Sequence, residues 1–113
     1  MKIMLDTSFL ITALKYKIDI ISELRGHQLY TNTNVIRELE GLSKGKGKNA
    51  MFARIALERT KKFKILTPKI KDTDKSLVNY SKNAYIIATQ DMKLKKQLKK
   101  SIYIRQKKYL VMP

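Results

Sequence analysis

The chain contains no cysteine and a single histidine, His27. The first absence excludes a disulfide scaffold and any cysteine-ligated zinc or iron–sulfur site. The second excludes a multi-histidine metal site and leaves one candidate base for Ser-His-Asp chemistry. His27 falls on an expected strand, where a satisfied structural role is the simple reading. No apolar run approaches the ~20 residues that span a bilayer. Asp6 interrupts the first apolar stretch and no small-residue cleavage site follows, so the N-terminus does not read as a signal peptide. A reducing, cytoplasmic location with no membrane partner is expected. Acids are scarce as well: 9 Asp plus Glu stand against 25 Lys plus Arg, a formal net charge of +16. That imbalance excludes a neutral surface and points to a polyanionic partner.

The charge is unevenly placed. Residues 1–40 carry five basic side chains (Lys2, Lys15, Lys17, Arg25, Arg37) and five acidic ones (Asp6, Asp19, Glu23, Glu38, Glu40). All the excess lies in residues 41–113, and no acid follows Asp91. A lysine-biased composition would not remove acids from one end only, so nucleic acid is the expected partner. With 113 residues, 43% of them hydrophobic, the chain suits one compact domain over residues 1–113. There is no repeat, linker or composition break to divide it.

Strand and helix signals alternate. Lys2-Ile3-Met4-Leu5 reads as a buried strand ending at Asp6-Thr7-Ser8, any of which can cap a helix carrying Phe9, Leu10, Ala13 and Leu14. Ile18, Ile21 and Leu24 mark a helical segment stopped by Gly26. A strand is expected over residues 27–31, then a helix with Val35, Ile36, Leu39 and Leu42 behind caps at Asn32, Thr33 and Asn34. Residues 43–49 read as a flexible basic loop, and a helix runs from Met51 to about Lys62. Phe63 to Thr67 is a short strand closed by Pro68. Asp72-Thr73-Asp74 caps a helix bearing Leu77 and Val78. Residues 84–89 form the clearest strand, Asp91 caps a helix bearing Leu94 and Leu98, and Ile102-Tyr103-Ile104 is the last strand. This order favours a parallel sheet covered on both faces by helices. In such sheets the ligand site lies beyond the carboxyl ends of the strands, where the winding reverses.

Asp6 lies directly at the carboxyl end of the first strand and Asp91 just beyond the clearest later one. If these strands are neighbours, both acids open onto one crevice. Asp74 begins the helix leading into the later strand, and Glu38 or Glu40 lies on the helix after the second strand. Taken singly, Asp6, Asp74 and Asp91 read as N-caps worth about 1 kcal/mol each, and the glutamates as solvent-edge charges. Arg37 points away from the apolar arc of its helix. Together, three or four carboxylates suit Mg²⁺ or Mn²⁺, which prefer hard oxygen ligands and offset the charge of a phosphodiester. The acids would hold metal and the lysines the nucleic-acid backbone. Gly41 to Gly47 does not fit G-x-x-x-x-G-K-[ST], which excludes a nucleotide P-loop. The apolar face of residues 92–100 is short and suits packing on the sheet better than a membrane surface.

Five segments in order carry a family resemblance: Met4-Leu5-Asp6-Thr7-Ser8-Phe9-Leu10, then Val35 to Leu42 around Glu38, then Asp74-Lys75-Ser76-Leu77, then Ala88-Thr89-Gln90-Asp91, and Tyr103-Ile104-Arg105-Gln106-Lys107-Lys108. Over nearly its whole length the chain resembles PIN-domain nucleases, and the last segment resembles the small ribosomal-RNA-processing subgroup. The resemblance implies an α/β fold, a three-layer α/β/α sandwich with a parallel four- or five-stranded sheet. It implies an endoribonuclease cutting single-stranded RNA with Mg²⁺ or Mn²⁺. The metal-holding and catalytic acids it implies are Asp6, Glu38, Asp74 and Asp91, with Thr7, Ser8 and Thr89 as polar support. Lys44, Lys46, Lys48, Lys93, Lys95, Lys96, Arg105, Lys107 and Lys108 would contact RNA, and Tyr30, Tyr80, Tyr103 and Tyr109 offer rings for stacking, although a core role suits most of them. Lys75 stands where the subgroup often has a further acid, and its ammonium can pair with Asp74 or with phosphate. A precursor of ribosomal RNA is the expected partner, with homodimers in keeping with the family. Two other readings share these residues: a non-catalytic RNA-binding module of a ribosome-assembly complex, and the ribonuclease toxin of a toxin–antitoxin pair.

Overall fold

The computed structural model describes residues Met1–Pro113. Six strands and six helices alternate: β1 (Lys2–Leu5), α1 (Thr7–Lys15), α2 (Ile20–Glu23), β2 (Gln28–Asn32), α3 (Thr33–Ser43), α4 (Lys48–Thr60), β3 (Lys64–Leu66), α5 (Thr73–Ser81), β4 (Tyr85–Ala88), α6 (Met92–Lys95), β5 (Ser101–Arg105) and β6 (Tyr109–Val111). They form one sheet in the order β3-β2-β1-β4-β5-β6. The first five are parallel, and β6 returns antiparallel to β5. The expected parallel sheet is therefore present, and the chain end adds a sixth strand through a hairpin. In that hairpin turn Gln106 and Lys107 take φ of 54° and 60°. Two left-handed residues in a row suit the twist of a tight hairpin, at a steric cost that glycine would avoid.

Alternation along the strands splits the core between the two faces of the sheet. Ile3, Leu5, Ala88, Ile102 and Ile104 face α1, α3 and α4, where Phe9, Ala13, Val35, Leu39, Ala53 and Ala56 are buried. Met4 and Ile87 face the other way, against Tyr30, Leu77 and Leu94 beneath α5 and α6. The result is the three-layer sandwich. Tyr30 and Tyr80 both pack edge-on against Tyr85, so these rings belong to the second core and its margin. Tyr109 remains exposed on β6. His27 binds the N-terminal amine through Nδ1 at 3.0 Å, in keeping with a structural role.

Several local expectations shift. The loop read over residues 43–49 shrinks to Lys44–Gly47, because α3 runs through Ser43 and α4 starts at Lys48. Gly47 makes that early start feasible with a φ of 93°, which only glycine adopts without strain. The helix expected to reach Leu98 ends at Lys95, where i to i+3 bonds from Gln97 and Leu98 close the turn. No helix is long and apolar enough to cross a membrane.

Candidate active site

The strand order reverses direction between β1 and β4, which pair in parallel with Leu5 opposite Ala88. A crevice opens beyond their carboxyl ends. Asp6, Glu38, Asp74 and Asp91 all line it, with Thr7, Ser8, Ile11, Thr12, Lys15, Leu42 and Asn49, around an open volume of about 900 Å³. The four acids come from four separate segments of the chain. Caps alone would not require such convergence.

Asp6 forms the floor and is only 6% exposed. It caps α1, with Oδ1 accepting from the Thr7 N–H at 2.8 Å. Its Oδ2 accepts from the Thr89 hydroxyl at 2.7 Å and from Ser8 at 3.3 Å. Thr89, fully buried, also accepts from the Asp91 N–H at 3.1 Å and so ties two acids together. Ser8 in turn accepts from the Gln90 N–H at 3.0 Å. Thr7 reaches the other way, donating to Glu38 at 3.1 Å. The three polar residues flanking the acids thus each hold a carboxylate.

Asp91 caps α6 through bonds from the Lys93 and Leu94 N–H groups. Asp74 does not cap α5. Asp72 does, accepting from the Lys75 N–H at 2.9 Å, which leaves the Asp74 carboxylate free at the cleft. Lys75 does not neutralise it: the one ion pair in the protein joins Lys61 and Glu58. Gln90 grips β5 with its amide, accepting from Ile104 N–H at 2.6 Å and donating to Ile104 C=O at 3.2 Å. It therefore holds the edge of the site in place of projecting into it.

The electrostatics follow from this crowding. Burial, opposed by its hydrogen bonds and reinforced by Asp74, lifts the Asp6 pKa above the usual aspartate value. Glu38 is more open, yet the cleft walls withdraw water from its carboxyl, and with the charges of Asp6 and Asp74 this raises its pKa too. Asp74 is raised by burial and by Asp91 and Asp72. Each group holds its proton more tightly folded than unfolded. Folding stability therefore falls as pH rises from the ordinary carboxylate pKa through the raised one. At neutral pH the repulsion stands uncompensated. Asp74→Asn removes one charge without removing a cap. Its Tm in EDTA at pH 7 is expected to exceed wild type by about 1–3 °C, and the gap to close toward pH ~4, as followed by circular dichroism. A lower Tm at pH 7 would mean that Asp74 is held by a favourable contact.

The carboxylates ring the cleft without closing into a three-acid cage. Hard oxygen donors, raised pKa values and no paired cation nonetheless fit a divalent ion, which prefers oxygen ligands and would relieve the repulsion. A separate apolar hollow among Leu10, Leu14, Ile18, Ile20 and Phe63 offers only Arg59 as a charged group.

The basic residues expected at the RNA are dispersed around this edge. Lys44, Lys46 and Lys48 are exposed at the α3–α4 junction, Lys93 and Lys96 on or beside α6, and Arg105, Lys107 and Lys108 at the β5–β6 turn. Lys95 differs. Its ammonium lies 3.4 Å from the centre of the Tyr103 ring, and burial lowers its pKa. Lys15, Thr12 and Asn49 line the cleft without having been expected there. The signal for two of them was helical spacing, since Ser8, Thr12 and Lys15 share a face of α1.

Residues 3–107 match the family described as PIN like domain. The chain is 33% identical over 123 aligned positions to Ribonuclease VapC4 of Methanocaldococcus jannaschii, covering 96% of this chain and 93% of that protein. Its fold is similar to the structure of the PIN domain endonuclease Utp24, with a TM-score of 0.78 at 24% identity over 94% of this chain and 86% of the other.

Proposed function

The chain belongs to the PIN-like domain family, and from that premise we propose that it is an endoribonuclease that cuts single-stranded RNA with Mg²⁺ or Mn²⁺. The observation that carries this reading is the meeting of Asp6, Glu38, Asp74 and Asp91 in one cleft of a chain with net charge +16. These four side chains would hold the cation. A bound divalent cation supplies Lewis-acid charge that offsets that of the phosphodiester and makes water a stronger nucleophile. Thr89 and Ser8 fix the Asp6 carboxylate, and Thr7 fixes Glu38. Lys15, the one cation lining the cleft, is placed to meet a phosphate oxygen. The outer lysines and Arg105 neutralise the remaining backbone. Hydrolysis of this kind leaves a 5′-phosphate and a 3′-hydroxyl.

Support for RNA comes from the relative named as a ribonuclease, which shares a third of its aligned residues with this chain. A ribosomal-RNA precursor is the substrate proposed from the Tyr103–Lys108 segment. The decisive assay mixes purified protein with a labelled single-stranded RNA and with its DNA counterpart. RNA cleavage is expected with Mn²⁺ or Mg²⁺, none in EDTA, and recovery on adding excess Mn²⁺. Metal-independent cleavage, or salt-sensitive RNA binding with no cleavage in any metal, would overturn the proposal. The second of these outcomes would favour a non-catalytic binding module.

A further inference from the structure

Beyond the carboxyl ends of β2 and β3, on the same edge of the sheet as the acidic cleft, lies a second open pocket of about 810 Å³ with no hydrophobic side chain in its wall. Thr33, Asn34, Arg37, Thr67, Lys69 and Lys71 line it. Three of these six are cationic, and none has a carboxylate partner, since the single ion pair joins Lys61 and Glu58. The pocket is therefore a concentration of uncompensated positive charge.

It is also built. Asn34 is 3% exposed. Its Nδ2 donates to Ile70 C=O at 3.0 Å and to Ser76 Oγ at 3.3 Å. Its Oδ1 accepts from Arg37 Nη2. A buried amide anchored to the β3–α5 connection thus sets the direction of an exposed guanidinium. The remaining donors of the fork stay free, and a planar fork fixed in advance loses less entropy on meeting an anion. A phosphate matches this in charge and in paired oxygens.

The pocket borders the proposed catalytic cleft through α3. Arg37 lines the one and the adjacent Glu38 lines the other. Strand β2 is the immediate neighbour of β1. On the far side, the turn with Arg105, Lys107 and Lys108 extends the same edge. A single strand crossing that edge with one phosphate over the acids brings another toward Arg37, Lys69 and Lys71. We infer that this pocket is a subsite for an RNA phosphate other than the one attacked, and that it fixes the path of the strand on the β2–β3 side. The inference rests on the ribonuclease reading.

Binding can be separated from cleavage in EDTA. The full chain is titrated into a 3′-fluorescein single-stranded RNA of about 12 nucleotides, with either a 5′-phosphate or a 5′-hydroxyl, and anisotropy is followed across a KCl series. The triple variant Arg37→Gln/Lys69→Gln/Lys71→Gln is expected to bind about tenfold or more weakly at low salt. Its slope of log affinity against log salt should be smaller by about 2, from ~0.7 per phosphate contact. The control Arg25→Gln/Lys62→Gln/Lys82→Gln removes equal charge near the amino ends of the strands and should leave the slope unchanged. A loss seen with both RNAs assigns the pocket to an internal phosphate, and a loss confined to the 5′-phosphorylated RNA assigns it to the terminal one. If Arg37→Gln disturbs folding, Lys69→Gln/Lys71→Gln carries the test with a slope change of about 1.4. Equal losses in triple variant and control, or no loss in the triple variant, would overturn the subsite while leaving the ribonuclease reading intact. A wild-type chain without salt-sensitive RNA binding would overturn both.

Discussion

Asp6→Asn is expected to lower the rate of RNA cleavage about 100-fold or more at saturating Mn²⁺, with the fold preserved. Even partners that only orient a metal ligand cost about 10–100-fold when removed, and Asp6 is proposed as a ligand itself. Its position separates the catalytic from the structural role. As the cap of α1 it needs only the oxygen that accepts from Thr7, and asparagine is as good a cap as aspartate. The new amide would replace Oδ2, which meets the hydroxyls of Thr89 and Ser8. Those hydroxyls can turn to accept. Replacing the buried charge also removes the desolvation that raises the Asp6 pKa. The Tm of Asp6→Asn in EDTA should therefore match or exceed that of wild type, and the added stability that Mn²⁺ confers on the wild type should shrink. Wild-type rates in the variant would reduce Asp6 to a helix cap.

The conspicuous parts of this site were legible because they sit where sheet topology places them. A strand as apolar as Lys2–Leu5 followed at once by Asp6, and a second over Tyr85–Ala88 followed by Asp91, already suggest two acids on one edge. That the strands are neighbours was an inference from fold class, and the pairing of Leu5 with Ala88 bears it out. Periodicity alone did not separate Glu38 from Glu40, since both flank the apolar arc of α3. The structure separates them: Glu38 faces Thr7 across the crevice and Glu40 does not line it. Similarly, three consecutive residues competed to cap α5. Only the backbone shows that Asp72 takes that role, and so frees Asp74 for the cleft.

What stayed hidden depended on contacts between distant segments. Arg37 read as a charge pointing away from its helix's apolar face, which is true of the helix and uninformative about the pocket. Its partner Asn34 is one turn earlier, but the atoms that hold Asn34 belong to Ile70 and Ser76, far along the chain. The departure of Lys95 from the expected RNA-contacting set has a similar origin, because Tyr103 lies on a strand that α6 covers. The sixth strand escaped notice for another reason. It depends on a turn of Gln106 and Lys107 in left-handed conformations, without the glycine or asparagine that marks such turns.

Thr89→Val is expected to lower cleavage about 10–100-fold and to cost about 1–3 kcal/mol of stability. Valine keeps the shape of threonine and removes the hydroxyl that joins two acids. Asp6 would lose its shortest side-chain hydrogen bond, 2.7 Å, and the Asp91 N–H would lose its bond to the same oxygen. A purely structural role predicts the stability loss alone. A positioning role adds two further changes. More Mn²⁺ should be needed for half-maximal cleavage, because both carboxylates are less firmly held. The acid limb of the pH–rate profile should also move to higher pH, since the Thr89 bond lowers the Asp6 pKa against the larger effect of burial. Without that bond the carboxylate protonates earlier on acidification. Thr89→Ser retains the hydroxyl and should restore both the Mn²⁺ requirement and the pH profile, while remaining slightly less stable for want of a buried methyl. If Thr89→Val unfolds more readily yet keeps the wild-type Mn²⁺ requirement and pH profile, Thr89 holds the strand end and has no part in setting the acids.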